Sequence, residues 1–127
     1  MNYGFSKIVD LPYDETIEKV TAELKKEGFG VLTSVDVKDT LKKKIDVDFK
    51  KYMILGACNP SLAYKALQNE EELGLLLPCN VLVYEKGGQT VVSVFDPMIM
   101  TEIVKNKELE SVAKEVKTKL ERVLDGV

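Results

Sequence analysis

"LPCNVLVYEKGGQTVVSVFDP" runs from Leu77 to Pro97, and the rest of the architecture is built on it. Gly87-Gly88 separates two β-branched runs, the signal of a hairpin closed by a two-residue loop. Lys86 then faces Gln89. Counting outward, Tyr84 opposes Val91, Leu82 opposes Ser93, Asn80 opposes Phe95 and Cys79 opposes Asp96. Side chains alternate across a strand, so two faces separate. One carries Cys79, Val81, Val83, Val92, Val94 and Asp96; the other carries Asn80, Leu82, Tyr84, Val91, Ser93 and Phe95. The valine face is the natural core, and it ends in a thiol beside a carboxylate.

Upstream, "YMILGACN" (Tyr52–Asn59) is a continuous apolar run and predicts a buried strand. Asn59-Pro60 starts a helix after it, with Asn as cap and Pro in the first turn; Leu62, Ala63, Ala66 and Leu67 form its apolar face. Tyr3–Val9 and Phe29–Val37 predict two further strands. Between them Asp14 is the expected N-cap of a helix striped by Ile17, Val20 and Leu24 and stopped by Gly28. Asp36 caps a shorter helix in which Val37, Leu41 and Ile45 fall four apart. Asp96-Pro97 stops the last strand. A long final helix from about Glu108 to Leu124 carries Val112, Val116, Leu120 and Val123 or Leu124 on one stripe. The fold class is α+β: a single-layer, mainly antiparallel five-stranded sheet with two long helices on one face and short helices in the connections. The other face must be polar or covered by a partner.

Cys58 and Cys79, the only cysteines, each precede an asparagine. If the strand ending at Cys58 is the antiparallel neighbour of the strand starting at Cys79, the chain leaves and returns at one sheet end. Cys58, Asn59, Cys79, Asn80 and Asp96 are then expected to meet in one corner. Cys58 also precedes a helix N-terminus, where the positive end of the dipole favours thiolate. Four of the five have a plainer role too: core filler for the cysteines, a cap for Asn59, a strand stop for Asp96; Asn80, an amide beside Phe95 on a half-apolar face, is the least explained. Met98-Ile99-Met100 is packing or a soft thioether surface.

Composition sets limits. At 127 residues, one domain spanning 1–127 is expected. No apolar run is long enough to span a bilayer, and the start lacks the pattern of a signal peptide, so a cytoplasmic protein with no membrane partner is expected. The absence of His removes the usual general base and the commonest metal ligand, and with them Ser-His-Asp, Cys-His and zinc Cys-His sites within one chain. A single Arg, Arg122, and a net charge of -3 argue against a nucleic-acid partner. The locally basic "LKKKIDVDFKK" is read as a solvated helix face.

Five segments carry a family resemblance: "GFGV" (Gly28–Val31), "DVKDTL" (Asp36–Leu41), "ILGACNP" (Ile54–Pro60), "LLPCN" (Leu76–Asn80) and "DP" (Asp96-Pro97). With these the chain closely resembles, from about Tyr3 to Leu124, the prokaryotic domain of unknown function 302 family. The resemblance implies a β-α-β4-α fold, similar in architecture to half of the TATA-binding protein, and a homodimer. It brings no activity with it.

The sequence supports a binding module for a small ligand, or for a soft metal held by Cys58 and Cys79, at the corner of the two Cys-Asn motifs. Two alternatives stand beside it. One is a cysteine-dependent enzyme or redox protein using Cys58, for which no base is evident. The other is a dimeric interaction module without chemistry, using the open sheet face.

Overall fold

The computed structural model describes residues 2–127. The chain runs β1 (Gly4–Val9), α1 (Tyr13–Lys26), β2 (Gly30–Asp36), α2 (Val37–Ile45), β3 (Tyr52–Cys58), α3 (Pro60–Asn69), a 3-10 turn (Glu71–Leu76), β4 (Cys79–Lys86), β5 (Gln89–Phe95), α4 (Ile99–Ile103) and α5 (Lys107–Asp125). The described strands form one open sheet in the order β1-β5-β4-β3-β2, every neighbouring pair antiparallel. The fold is α+β, as expected.

The hairpin sets the register. Gly87 and Gly88 both take positive φ, 58° and 79°, as a tight primed turn requires. Lys86 pairs with Gln89 and the ladder runs inward through Val83↔Val92 to Val81↔Val94. Val81, Val83, Val92 and Val94 are fully buried under α1 and α5, and each such side chain contributes roughly 1.5–3 kcal/mol. The covering stripes are Val20 and Leu24 from α1 and Val116, Leu120 and Val123 from α5. A second buried cluster, Ala66, Leu73, Met100 and Leu109, joins α3, the 3-10 turn, α4 and α5. Met100 is thus core packing.

Helix ends follow local chemistry, with one correction. Asp36 accepts from Asp39 N at 3.0 Å, and Asn106 caps α5 by accepting from Glu108 N at 3.0 Å. Gly28, at φ 83°, closes α1: its N–H and that of Phe29 return to the Lys25 and Leu24 carbonyls. Asp14 is not the N-cap. The helix already includes Tyr13, which is buried against the core, and Pro12 precedes it. The buried Thr16 instead donates its hydroxyl to the carbonyls of Leu11 and Pro12. The basic stretch around α2 is the solvated face the sequence suggested: Lys42 pairs with Asp46 and Asp48, and Lys43 with Asp39. Among the described residues no helix is long and apolar enough to cross a membrane.

Candidate functional site

The two cysteines meet where β3 leaves the sheet and β4 enters it. Cys79 lies opposite Ala57, and Cys58 opposite Gly30 on the far side, so the cysteines are diagonal neighbours. Cys79 shares the helix-covered face with Ala57 and is 5% exposed. Strict alternation would send Cys58 to the opposite face. Because β3 stops there and the chain turns into α3, Cys58 still lines the same cavity as Cys79 and stays half-buried.

Asn59 holds this turn together. Its Oδ1 accepts from Leu62 N at 3.3 Å, capping α3, and its Nδ2 donates to the Glu27 carbonyl at 3.3 Å. One amide therefore ties the start of α3 to the end of α1. Gly28 permits that approach, since a Cβ there would press on Asn59 Nδ2. Glu27 carries a second tie, accepting from Arg122 Nε at 2.9 Å, which engages the chain's one arginine within the fold. Gly56 plays a matching part on the sheet, because any Cβ would collide with Thr33 Oγ1 and Pro78. Only glycine lets β2 and the Pro78 turn close over this end of β3.

The cavity between the sheet end, α3, α5 and the 3-10 turn measures about 330 Å³. Small residues on facing elements create it: Ala57 and Cys79 on the sheet, Ala63 and Ala66 on α3, Ala113 on α5. Leu32 and Leu67 line it and are exposed. Among the described residues no Asp, Glu, Lys or Arg lines it. Its size falls at the lower end of small-molecule sites.

Burial pushes both thiols up. Removal from water raises Cys58, and it raises Cys79 further, to about 11, with the neighbouring Cys58 adding to the effect. The thiolate that the helix dipole was expected to favour at Cys58 is thus opposed by desolvation, and both groups are neutral thiols at pH 7. Among the described residues no group of three or more His, Cys, Asp or Glu side chains is placed to hold a metal ion.

The five expected residues do not share one pocket. Cys58, Asn59 and Cys79 line the cavity; Asn80 and Asp96 do not. Asn80 alternates with Cys79 and is exposed on the uncovered face, in a broad trough with Ser6, Tyr52, Leu82 and Tyr84. Asp96 departs because the ladder between β4 and β5 ends at Val81↔Val94. Its N–H joins the Tyr3 carbonyl beside β1, its Oδ1 accepts from Met98 N at 3.0 Å, and its Oδ2 faces Lys117 Nζ at 3.6 Å. It stops the strand and caps the following turn. The alanines that open the cavity come from separate elements. Ala63 and Ala66 were visible as one face of α3, whereas nothing in the sequence pointed to Ala113.

A family model described as domain of unknown function DUF302 matches residues 5–127. The crystal structure of an uncharacterized conserved DUF302 protein from Bacillus stearothermophilus superposes with a TM-score of 0.91 at 31% sequence identity, covering 98% of each chain. No curated protein matches the chain.

Proposed function

The chain belongs to the DUF302 family, and from that premise we propose that it is a small-molecule binding module whose site is the cavity at the two cysteines. One observation carries the reading. The two cysteines, from separate segments of the chain, line a single cavity, with Asn59 bracing its wall through two hydrogen bonds. The neutral thiols favour an organic ligand over the alternatives. Soft-metal binding needs thiolates, and two sulfurs from one chain are an incomplete set. A nucleophilic Cys58 needs a lowered pKa or a nearby base, and burial moves it the other way.

Native mass spectrometry of untagged protein, purified without chelators, tests the reading. An organic adduct lost in the Ala113→Leu variant supports it. A metal adduct lost on cysteine substitution supports the soft-metal version instead. An adduct unaffected by either change removes the cavity as the site.

Self-association through the uncovered sheet face is a second reading with its own observation. Ile8 is 58% and Val35 42% exposed there, beside the partly exposed Leu82 and Tyr84. Sedimentation of wild type against Leu82→Asp checks it, with loss of dimer expected. Phe95 is not the residue to change, because it packs against both buried clusters and its loss would confuse folding with assembly.

A further inference from the structure

The cavity's lining defines what it can hold, and this step rests on the cavity being the site. Desolvating a charge is costly without a partner, and the cavity supplies none: every lining side chain is uncharged. Its polar groups are few. Asn59 is already engaged at both ends, by Leu62 N and the Glu27 carbonyl. Both thiols are held neutral by burial. Thr33, at an exposed position, and the weak S–H donors are the other polar side chains of the lining. The exposed part of the lining includes two large apolar side chains, Leu32 at 67% and Leu67 at 37%. At about 330 Å³ there is room for a compact aromatic or a short hydrocarbon chain, but not for a nucleotide or a large cofactor.

We infer that the ligand is a small, uncharged, largely hydrocarbon molecule, packed against Leu32 and Leu67 with at most one polar atom left near Thr33. Its recognition is by shape and dryness rather than by ion pairing. The alanines on facing elements set the length available, and the neutral Cys79 thiol forms part of the floor.

Three probes with one chain length and different head groups test this: 1-octanol, octanoate and octylammonium, titrated at pH 7 into the intact protein. Amide chemical-shift mapping is the readout. Saturable binding of 1-octanol is expected, with shifts centred on Cys58, Cys79 and Ala113. The two charged probes should bind about tenfold more weakly or worse, for want of a counter-charge. Ala113→Leu should abolish the octanol shifts; Ala63→Leu, at a half-buried position, serves if the first variant folds poorly. A charged probe binding as well as octanol at the same residues overturns the ligand class and leaves the cavity standing. No saturable shift from any probe, or octanol shifts that ignore both variants, overturns the cavity itself.

Discussion

The two Cys-Asn pairs are the same dipeptide with opposite fates. At Cys58-Asn59 a strand ends, so the thiol is half-buried and the amide turns inward to cap α3 and hold α1. At Cys79-Asn80 a strand begins, so pleating drives the thiol into the core and the amide out onto the uncovered face. The difference teaches that a motif's role is decided by whether the chain is leaving or entering the sheet. Alternation governs within a strand, and cap chemistry governs at its end.

Placing a carboxylate at each thiol should separate the two pairs most sharply. Cys79→Asp puts a charge among Ala57, Val81 and α5 with no basic residue lining the space, and a loss of about 3–5 kcal/mol in denaturant unfolding is expected. Cys58→Asp, half-buried and just ahead of a helix N-terminus, should cost much less, because water and the dipole both support the charge. Equal losses would mean that the two positions are equally dry and that the contrast is not real.

Titration sharpens the same comparison. The Cys79 proton is held more tightly in the folded state than at the ordinary thiol value of 9.0, with a folded pKa of about 11. Its stabilising contribution is complete below pH 9 and is lost as pH rises from there through about 11. Within that window the unfolded chain binds fewer protons, so stability falls with pH. The shift corresponds to roughly 2–3 kcal/mol at full loss. Cys79→Ala should flatten the slope between pH 9 and 11, and Cys58→Ala should flatten it less. Lysine and tyrosine titrations are common to both variants, so the difference between their slopes is the informative quantity. Identical slopes would show that Cys79 does not feel its burial.

Much of the fold could be read before any coordinates because its strongest signals are local. Gly87-Gly88 fixes a register that holds from Lys86↔Gln89 to Val81↔Val94, and the apolar stripes of α1 and α5 have the period of the helix they form. The caps at Asp36 and Asn59 were equally plain. What escaped reading is not periodic. The 3-10 turn at Glu71–Leu76 and the short α4 at Ile99–Ile103 are held by Leu73 and Met100 reaching into a cluster with Ala66 and Leu109, which is tertiary packing. The site was half legible for the same reason. Counting residues along the hairpin places Cys79 correctly, but it carries Asp96 one step past the last ladder pair. There β5 has ended, and the backbone of Asp96 turns to Tyr3. The cavity itself is a deficit of volume shared among Ala57, Ala66, Ala113 and Cys79, and no single segment announces a deficit shared by four elements.

Thiol accessibility gives a smaller contrast. Both cysteines should alkylate slowly at pH 7, since burial keeps them protonated, and Cys58 should react before Cys79 because it is the more exposed. Mass mapping of a time course with iodoacetamide checks the order. Cys79 modified first would place it nearer solvent than its surroundings indicate.

The asparagines should show the least dramatic difference, and it is the one that tests the leaving-or-entering rule most directly. Asn59→Ala removes the side-chain acceptor of Leu62 N and the donor to the Glu27 carbonyl. Loss of a cap costs about 1 kcal/mol, and the second bond should bring the total to roughly 2 kcal/mol. Asn59→Asp keeps the acceptor and loses only the donor, so it should recover about half of that loss. Asn80→Ala, on an exposed strand position, should lie within about 0.5 kcal/mol of wild type. The rule requires that order of three: Asn59→Ala below Asn59→Asp, and both below Asn80→Ala. If Asn80→Ala were the most damaging, the amide on the uncovered face would be held by something outside the folded chain. The second copy proposed to pack there is the candidate the sedimentation experiment already interrogates.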